Sequence, residues 1–171
     1  MLSISQLTTL TPIILLVASC GYHIAAAQTR EEFKVQTKGG GLVSREEQTT
    51  VNRPLKTVVA DVQAYADKCL NVRVTTGPNY ALKEVGGTML YHPKIDTNKE
   101  GVVTLSLQSE STRKSAMHGA PPDGIFMLVA EFRAAGTNAT RIDLNYYITA
   151  NSAVEHQKQW ANGDQSRCPK F

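Results

Sequence analysis

The sequence predicts an α+β fold in which a mainly antiparallel, curved sheet carries two helices. Three stretches predict it. Leu55, Val58, Val59, Val62, Tyr65 and Cys69 recur at helical spacing, while Lys56, Asp61, Gln63 and Lys68 fall on the other side. Val103, Leu105 and Leu107 alternate with Thr104, Ser106 and Gln108, the pattern of a half-buried strand. Ile142, Leu144, Tyr146 and Ile148 alternate with Arg141, Asp143, Asn145 and Tyr147. They follow the apolar run from Ile125 to Phe132 across a turn at Gly136 to Ala139, which makes an antiparallel pair. Strands, a helix, a run of strands and a last helix form one compact domain.

In chain order, Glu32 to Thr37 alternates, with Phe33 and Val35 opposite Glu32, Lys34 and Gln36, and predicts a first strand. Gly39-Gly40-Gly41 breaks it; the Lys-Ser/Thr that completes a P-loop is missing, so the glycines read as a turn. Leu42 to Val51 is a more polar strand, placed at an edge. Asn52-Arg53-Pro54 opens the first helix, since proline is tolerated in the first turn. Asn71 to Thr76, Tyr80 to Val85 and Thr88 to Tyr91 are short strand candidates, the last ended by Pro93. Ile125 to Phe132 has apolar residues on both faces, with Phe126, Leu128, Ala130 and Phe132 opposite Ile125, Met127 and Val129, so it is covered on both sides. Ser152-Ala153-Val154-Glu155 fits a capping box for a second helix that runs past Trp160 to Gly163.

Before all of these stands an apolar run, Ile13 to Ala18, ending in Ser19 and Cys20. It is too short to span a bilayer, which takes ~20 apolar residues, and has the length of a secretory signal core. No Lys or Arg precedes it, although such signals usually carry positive charge there. Val17-Ala18-Ser19-Cys20 resembles the lipobox of bacterial lipoproteins. The resemblance implies a lipid-bearing thiol and cleavage just before Cys20. It divides the chain into a signal peptide, 1–19, a small polar tether, 20–29, and a folded domain, 30–171. A rival site, Ala25-Ala26-Ala27, has the A-x-A pattern, and a cut after Ala27 releases a protein without an anchor. Gly21 after the cysteine, rather than Asp, agrees with the outer-membrane sorting rule of enteric lipoproteins. The implied location is the cell envelope, facing the periplasm or the surface. The implied partners are the membrane, through the lipid, and an envelope protein.

Either cut leaves Cys69 and Cys168, and an exported compartment favours a disulfide between them. That bridge brings the end of the chain back to the end of the first helix. The pair is not C-x-x-C, and nothing near either sulfur marks a reactive thiolate. The formal charge of +3 is spread along the chain and argues for neither nucleic acid nor a polybasic membrane patch.

Chemistry is sparse. His23, His92, His118 and His156 have no metal-ligand spacing, there is no G-x-S-x-G elbow, and Glu31-Glu32 and Glu46-Glu47 fall on opposite faces of strands. No cofactor, metal or catalytic residue is expected, and the protein is read as a non-catalytic accessory. The loop from Ser111 to Gly124 is long for a compact domain, and its Arg113, Lys114 and His118 form a candidate binding lip. Asn138-Ala139-Thr140 is a glycosylation sequon with meaning only in a eukaryotic secreted protein. In element order the folded part is similar to helix-grip folds, which bind between helix and sheet; no residue motif accompanies the likeness. Two alternatives follow: a carrier or sensor of an apolar ligand, motivated by the doubly apolar strand from Ile125 to Val129, and, lower, a hydrolase.

Overall fold

A computed structural model describes residues 25–76, 87–112, 119–165 and 167–171. The signal and Cys20, the strand candidate at 80–85, and Arg113, Lys114 and His118 lie outside the described residues. The elements are α1 (Arg30–Thr37), β1 (Ser44–Val51), α2 (Leu55–Cys69), β2 (Arg73–Thr76), β3 (Gly87–Thr97), β4 (Val103–Ser111), β5 (Ile125–Ala134), β6 (Thr140–Tyr147) and α3 (Asn151–Ala161). A 3-10 turn, Ile148–Ala150, leads into α3. The strands form one curved antiparallel sheet in the order β1-β6-β5-β4-β3-β2. The α+β class expected from periodicity is therefore present, with the polar strand β1 at an edge as its composition predicted.

The helices α2 and α3 cover one face. Val58, Val62, Ala66 and Cys69 of α2 meet Leu105, Leu107, Leu128, Phe132, Ile142 and Leu144 of the sheet, and α3 adds Ala153, Val154 and Trp160. At about 25 cal/mol per Å² of apolar area, burying side chains of this size is the main favourable contribution to the fold. A smaller cluster occupies the opposite face. There Phe33 of α1 packs on Phe126 and Val129, with Tyr147 edge-on to the Phe33 ring at 5.1 Å.

Several sequence expectations are corrected. The segment predicted as a first strand is the helix α1, so the described residues form three α-helices rather than two. The Thr29 side chain accepts from the Glu32 amide at 3.1 Å, Glu31 and Glu32 lie in the first turn, and Phe33 and Thr37 share the buried side. Over eight residues, one buried Phe does not distinguish a period of two from one of 3.6. Pro93 does not end β3, which continues to Thr97. Its neighbour two back, Tyr91, donates to the Val72 carbonyl, away from β4, so the donor that Pro93 lacks would point past the last β2 pairing at Arg73 and Leu90. The capping box is not formed, because the 3-10 turn runs straight into α3, leaving Ala150 at the cap and Ser152 inside the helix.

The face assignment of β5 also changes. Leu107 pairs with Leu128 but Gln108 pairs with Phe126, so Met127 is an extra residue in a β-bulge. Met127 and Leu128 both enter the main core, and Phe126 moves to the face of Val129. The expectation that this strand is buried on both sides holds, by a route that simple alternation does not give.

Candidate functional site

Residues 25–29, assigned to the tether by composition, pack onto the folded body. Ala27 is 5% exposed beside Phe33, Phe126 and Val129. The Gln28 amide donates to Glu32 Oε2 at 2.7 Å, and its side-chain amide donates to the Gly119 carbonyl at 2.5 Å. Gln36 in turn donates to the Ala25 carbonyl at 3.0 Å. The chain that follows Cys20 is thus fastened to the C-terminal half of α1 from Ala25 onward.

On the same face of the sheet, α1, β1, β5 and β6 enclose a groove of about 440 Å³. The alternation of β5 and β6 points Glu131, Arg133, Arg141 and Asp143 into it, and Lys34 reaches down from α1. These charges satisfy one another. Lys34 Nζ lies 2.5 Å from Glu131 Oε1, Arg133 bridges Glu131 at 2.6 Å and Asp143 at 2.7 Å, and Arg141 and Gln48 each reach Asp143 at 2.9 Å. Burial pushes the Glu131 carboxyl up, but Lys34 and Arg133 outweigh it and hold it below the ordinary carboxylate range. An acid so paired stays ionised at neutral pH, which suits recognition of polar groups better than proton transfer.

A second polar cluster sits at the edge of the helix-covered face. Of the adjacent acids, Glu46 points outward and accepts from the Gly39 amide at 2.6 Å. Glu47 points inward, hydrogen-bonded by the Tyr146 hydroxyl and by Lys158 Nζ at 2.6 Å. Lys158 and Tyr146 lower the Glu47 pKa, while burial and Glu47 raise that of Tyr146 to about 12. The expected separation of the two acids by strand alternation is correct for this pair. It also carried an unused signal, because in any two adjacent acids on a covered strand one must face the core and find a partner.

Arg53 was read in the sequence only as part of the entry to α2, yet its side chain joins two helices. Its Nη1 donates to the carbonyl of Ala161 at 2.9 Å, at the end of α3, and its Nη2 lies 2.7 Å from Asp61 on α2. No local pattern reveals this, since Ala161 is 108 residues away. Gln157 is fully buried in the middle of the inner stripe of α3, and neither its amide nitrogen nor its oxygen has a partner among the described residues. The end of the loop expected to carry the binding lip is a built turn. Gln108 donates to the carbonyls of Pro122 and Gly124 at 3.1 and 2.8 Å, and Gly124, at φ +89, lies so close to the Ser109 carbonyl that a Cβ would collide with it.

The disulfide expected from the cysteines is present. Cys69 and Cys168 are joined with Cα atoms 5.1 Å apart across 99 residues of sequence. The tail it holds is also docked by Trp160 Nε1 donating to the Arg167 carbonyl at 3.2 Å and by Phe171, whose ring centre lies 4.3 Å from that of Tyr91. Among the described residues, no group of three His, Cys, Asp or Glu side chains is gathered as a metal site would require.

No protein-family model and no curated protein matches the chain. Among solved structures it is similar to Ara h 8.0201, at 13% identity and a TM-score of 0.34 over 73% of this chain and 95% of that one. It is also similar to an uncharacterised protein from Rhizobium leguminosarum, at 8% identity and a TM-score of 0.25 over 72% and 95%. Both likenesses are distant, and the reading of function rests on the residues of this chain.

Proposed function

We propose that the protein is a bacterial envelope lipoprotein, acylated on Cys20, whose α+β domain acts without catalysis as a binding or assembly accessory. The observation that carries the proposal is the packing of Ala27. The rival cut after Ala27 would remove a residue that is 5% exposed in the cluster under α1, together with the Ala25 and Ala26 carbonyls that accept from Gln36 and Gln28. Cleavage before Cys20 leaves all of these contacts in the mature protein. The non-catalytic part is supported by the groove, whose acids are each engaged by a basic or amide neighbour. A partner with polar, hydrogen-bonding groups fits that surface.

The carrier reading stays the alternative, and among the described residues the strand that motivates it is covered on both faces. Phe126 and Val129 are covered by Phe33 of α1, and Met127, Leu128 and Ala130 are filled against the main core, where Trp160, Tyr146 and Phe132 are at most 2% exposed.

Intact mass of the protein isolated from its native envelope tests the proposal. The expected species begins at Cys20 and carries acyl chains, and Cys20→Ser moves the protein out of the membrane fraction. A mature chain beginning at Gln28 would overturn the lipoprotein reading.

A further inference from the structure

Four large apolar side chains stand in solvent at one end of the domain. Val35 is 73% exposed, Leu42 96%, Val43 60% and Ile148 43%. Single exposed apolar residues are ordinary on protein surfaces. These lie on adjoining segments of the chain. Val35 lies in the last turns of α1, Leu42 and Val43 in the loop that leaves it, and the Ile148 amide donates to the Val43 carbonyl at 3.0 Å. The turn is made by Gly39 and Gly40, both at positive φ, and by the Gly41 amide donating to the Ser44 carbonyl at 3.0 Å, so the backbone holds Leu42 outward. Val35 also shares an apolar dent in the surface with Ala25 and Ala26.

The position of Ala25 gives this corner its meaning. Its carbonyl is fixed to Gln36, beside Val35, and Cys20 is five residues upstream. Five extended residues span at most roughly 17 Å, so an acyl group on Cys20 keeps the bilayer within that distance of the C-terminal half of α1. A tether so short makes docking of the nearby surface effectively intramolecular, and even a weak apolar contact is then occupied.

Resting on the lipoprotein reading, we propose that Val35, Leu42, Val43 and Ile148 form a membrane-contact corner that seats in the lipid interface beside the Cys20 anchor. Apolar side chains enter the boundary between headgroups and acyl chains, and the basic side chains at the rim, Lys38 and Arg45, meet the phosphates. Glu31 and Glu32, which line the same dent, and Glu46 near the rim keep the electrostatic share small, so the contact is mainly apolar and only weakly dependent on salt. Seating this corner turns the opposite end of β1, at Thr50 and Val51, away from the membrane.

The test uses the full acylated chain in phosphatidylethanolamine–phosphatidylglycerol vesicles whose acyl chains are brominated. Mass spectrometry first establishes acylation of Cys20. Leu42→Trp places a reporter on the corner, Thr50→Trp places one at the far end of β1, and native Trp160 is buried and gives a constant background. The expected result is that bromine quenches roughly half of the added emission of Leu42→Trp and none from Thr50→Trp, as for a side chain at interfacial depth. An acylated protein in which both reporters stay unquenched overturns the corner while leaving the lipoprotein reading intact. Equal quenching of both overturns the orientation. A protein without acyl groups overturns the reading and the corner together.

Discussion

At the scale of single residues, the informative side chains are polar ones in apolar places. Gln157 carries an amide into the core with no partner for either end, and such a group costs about 1–3 kcal/mol in lost hydration. Gln157→Met keeps the length and removes both polar atoms, and is expected to raise stability by about 1–2 kcal/mol in urea denaturation. A loss of stability would mean that an enclosed water satisfies the amide. Glu47 shows the opposite case, a buried-edge acid with two donors. Its folded pKa is lowered from 4.5, so the stability it contributes is present above that value and is lost as pH falls through the lower folded one. Tyr146 is raised from 10.0 to about 12, so its contribution is present below pH 10 and fades as pH rises through about 12. Glu47→Gln is therefore expected to lower the denaturation midpoint at pH 7 and to make the acid limb below about pH 4.5 shallower; an unchanged acid limb would remove Glu47 from the account. Of these residues, Tyr146 was legible as an inner position of an alternating strand and Glu47 as one of two adjacent acids, while their pairing with each other left no trace in the sequence.

At the scale of elements, what could be read depended on length and on where the partners lie. The fifteen residues of α2 repeat the helical period often enough to fix both its type and its inner face, and Cys69 falls on that face as expected. The eight residues of α1 do not, and its identity is decided by the Thr29 cap and by a floor made of β5 and β6, residues far away in sequence. The bulge at Met127 was equally hidden, because a run that is apolar on every residue has no parity to break. An isolated eight-residue helix is unstable in water, so α1 depends on its seat. Phe33 is its one large buried side chain. Phe33→Ala is expected to cost about 3 kcal/mol and to free the amides of Arg30–Thr37 for rapid hydrogen exchange while those of β4, β5 and β6 stay protected. Uniform loss of protection across the sheet would show instead that α1 is part of the global folding unit.

At the scale of the whole molecule, the fold is closed by contacts between its beginning and its end. The strand β1 pairs along its whole length with β6, the last strand, and Arg53, two residues after β1, holds the final turn of α3. The disulfide adds a third such link, from the end of α2 to a tail that would otherwise fray. That link was legible because the expectation of export left two cysteines for one bridge, whereas the β1–β6 pairing has no local signature and comes only from the completed sheet. Confining 99 residues of the unfolded chain is worth about 4 to 5 kcal/mol on the chain-entropy account, a large share of the stability of a domain this size. Reduction is expected to lower the unfolding free energy obtained from urea denaturation by an amount approaching that figure, with a matching fall in the midpoint, and Cys69→Ala with Cys168→Ser is expected to match it without reductant. Trp160 reports the local consequence. Its indole N–H is bonded to the Arg167 carbonyl, one residue before Cys168, so release of the tail exposes it and shifts its emission to the red before the sheet unfolds. If the midpoint falls with no early shift of Trp160, the tail stays docked through Phe171 on Tyr91, and the bridge acts on the unfolded chain alone.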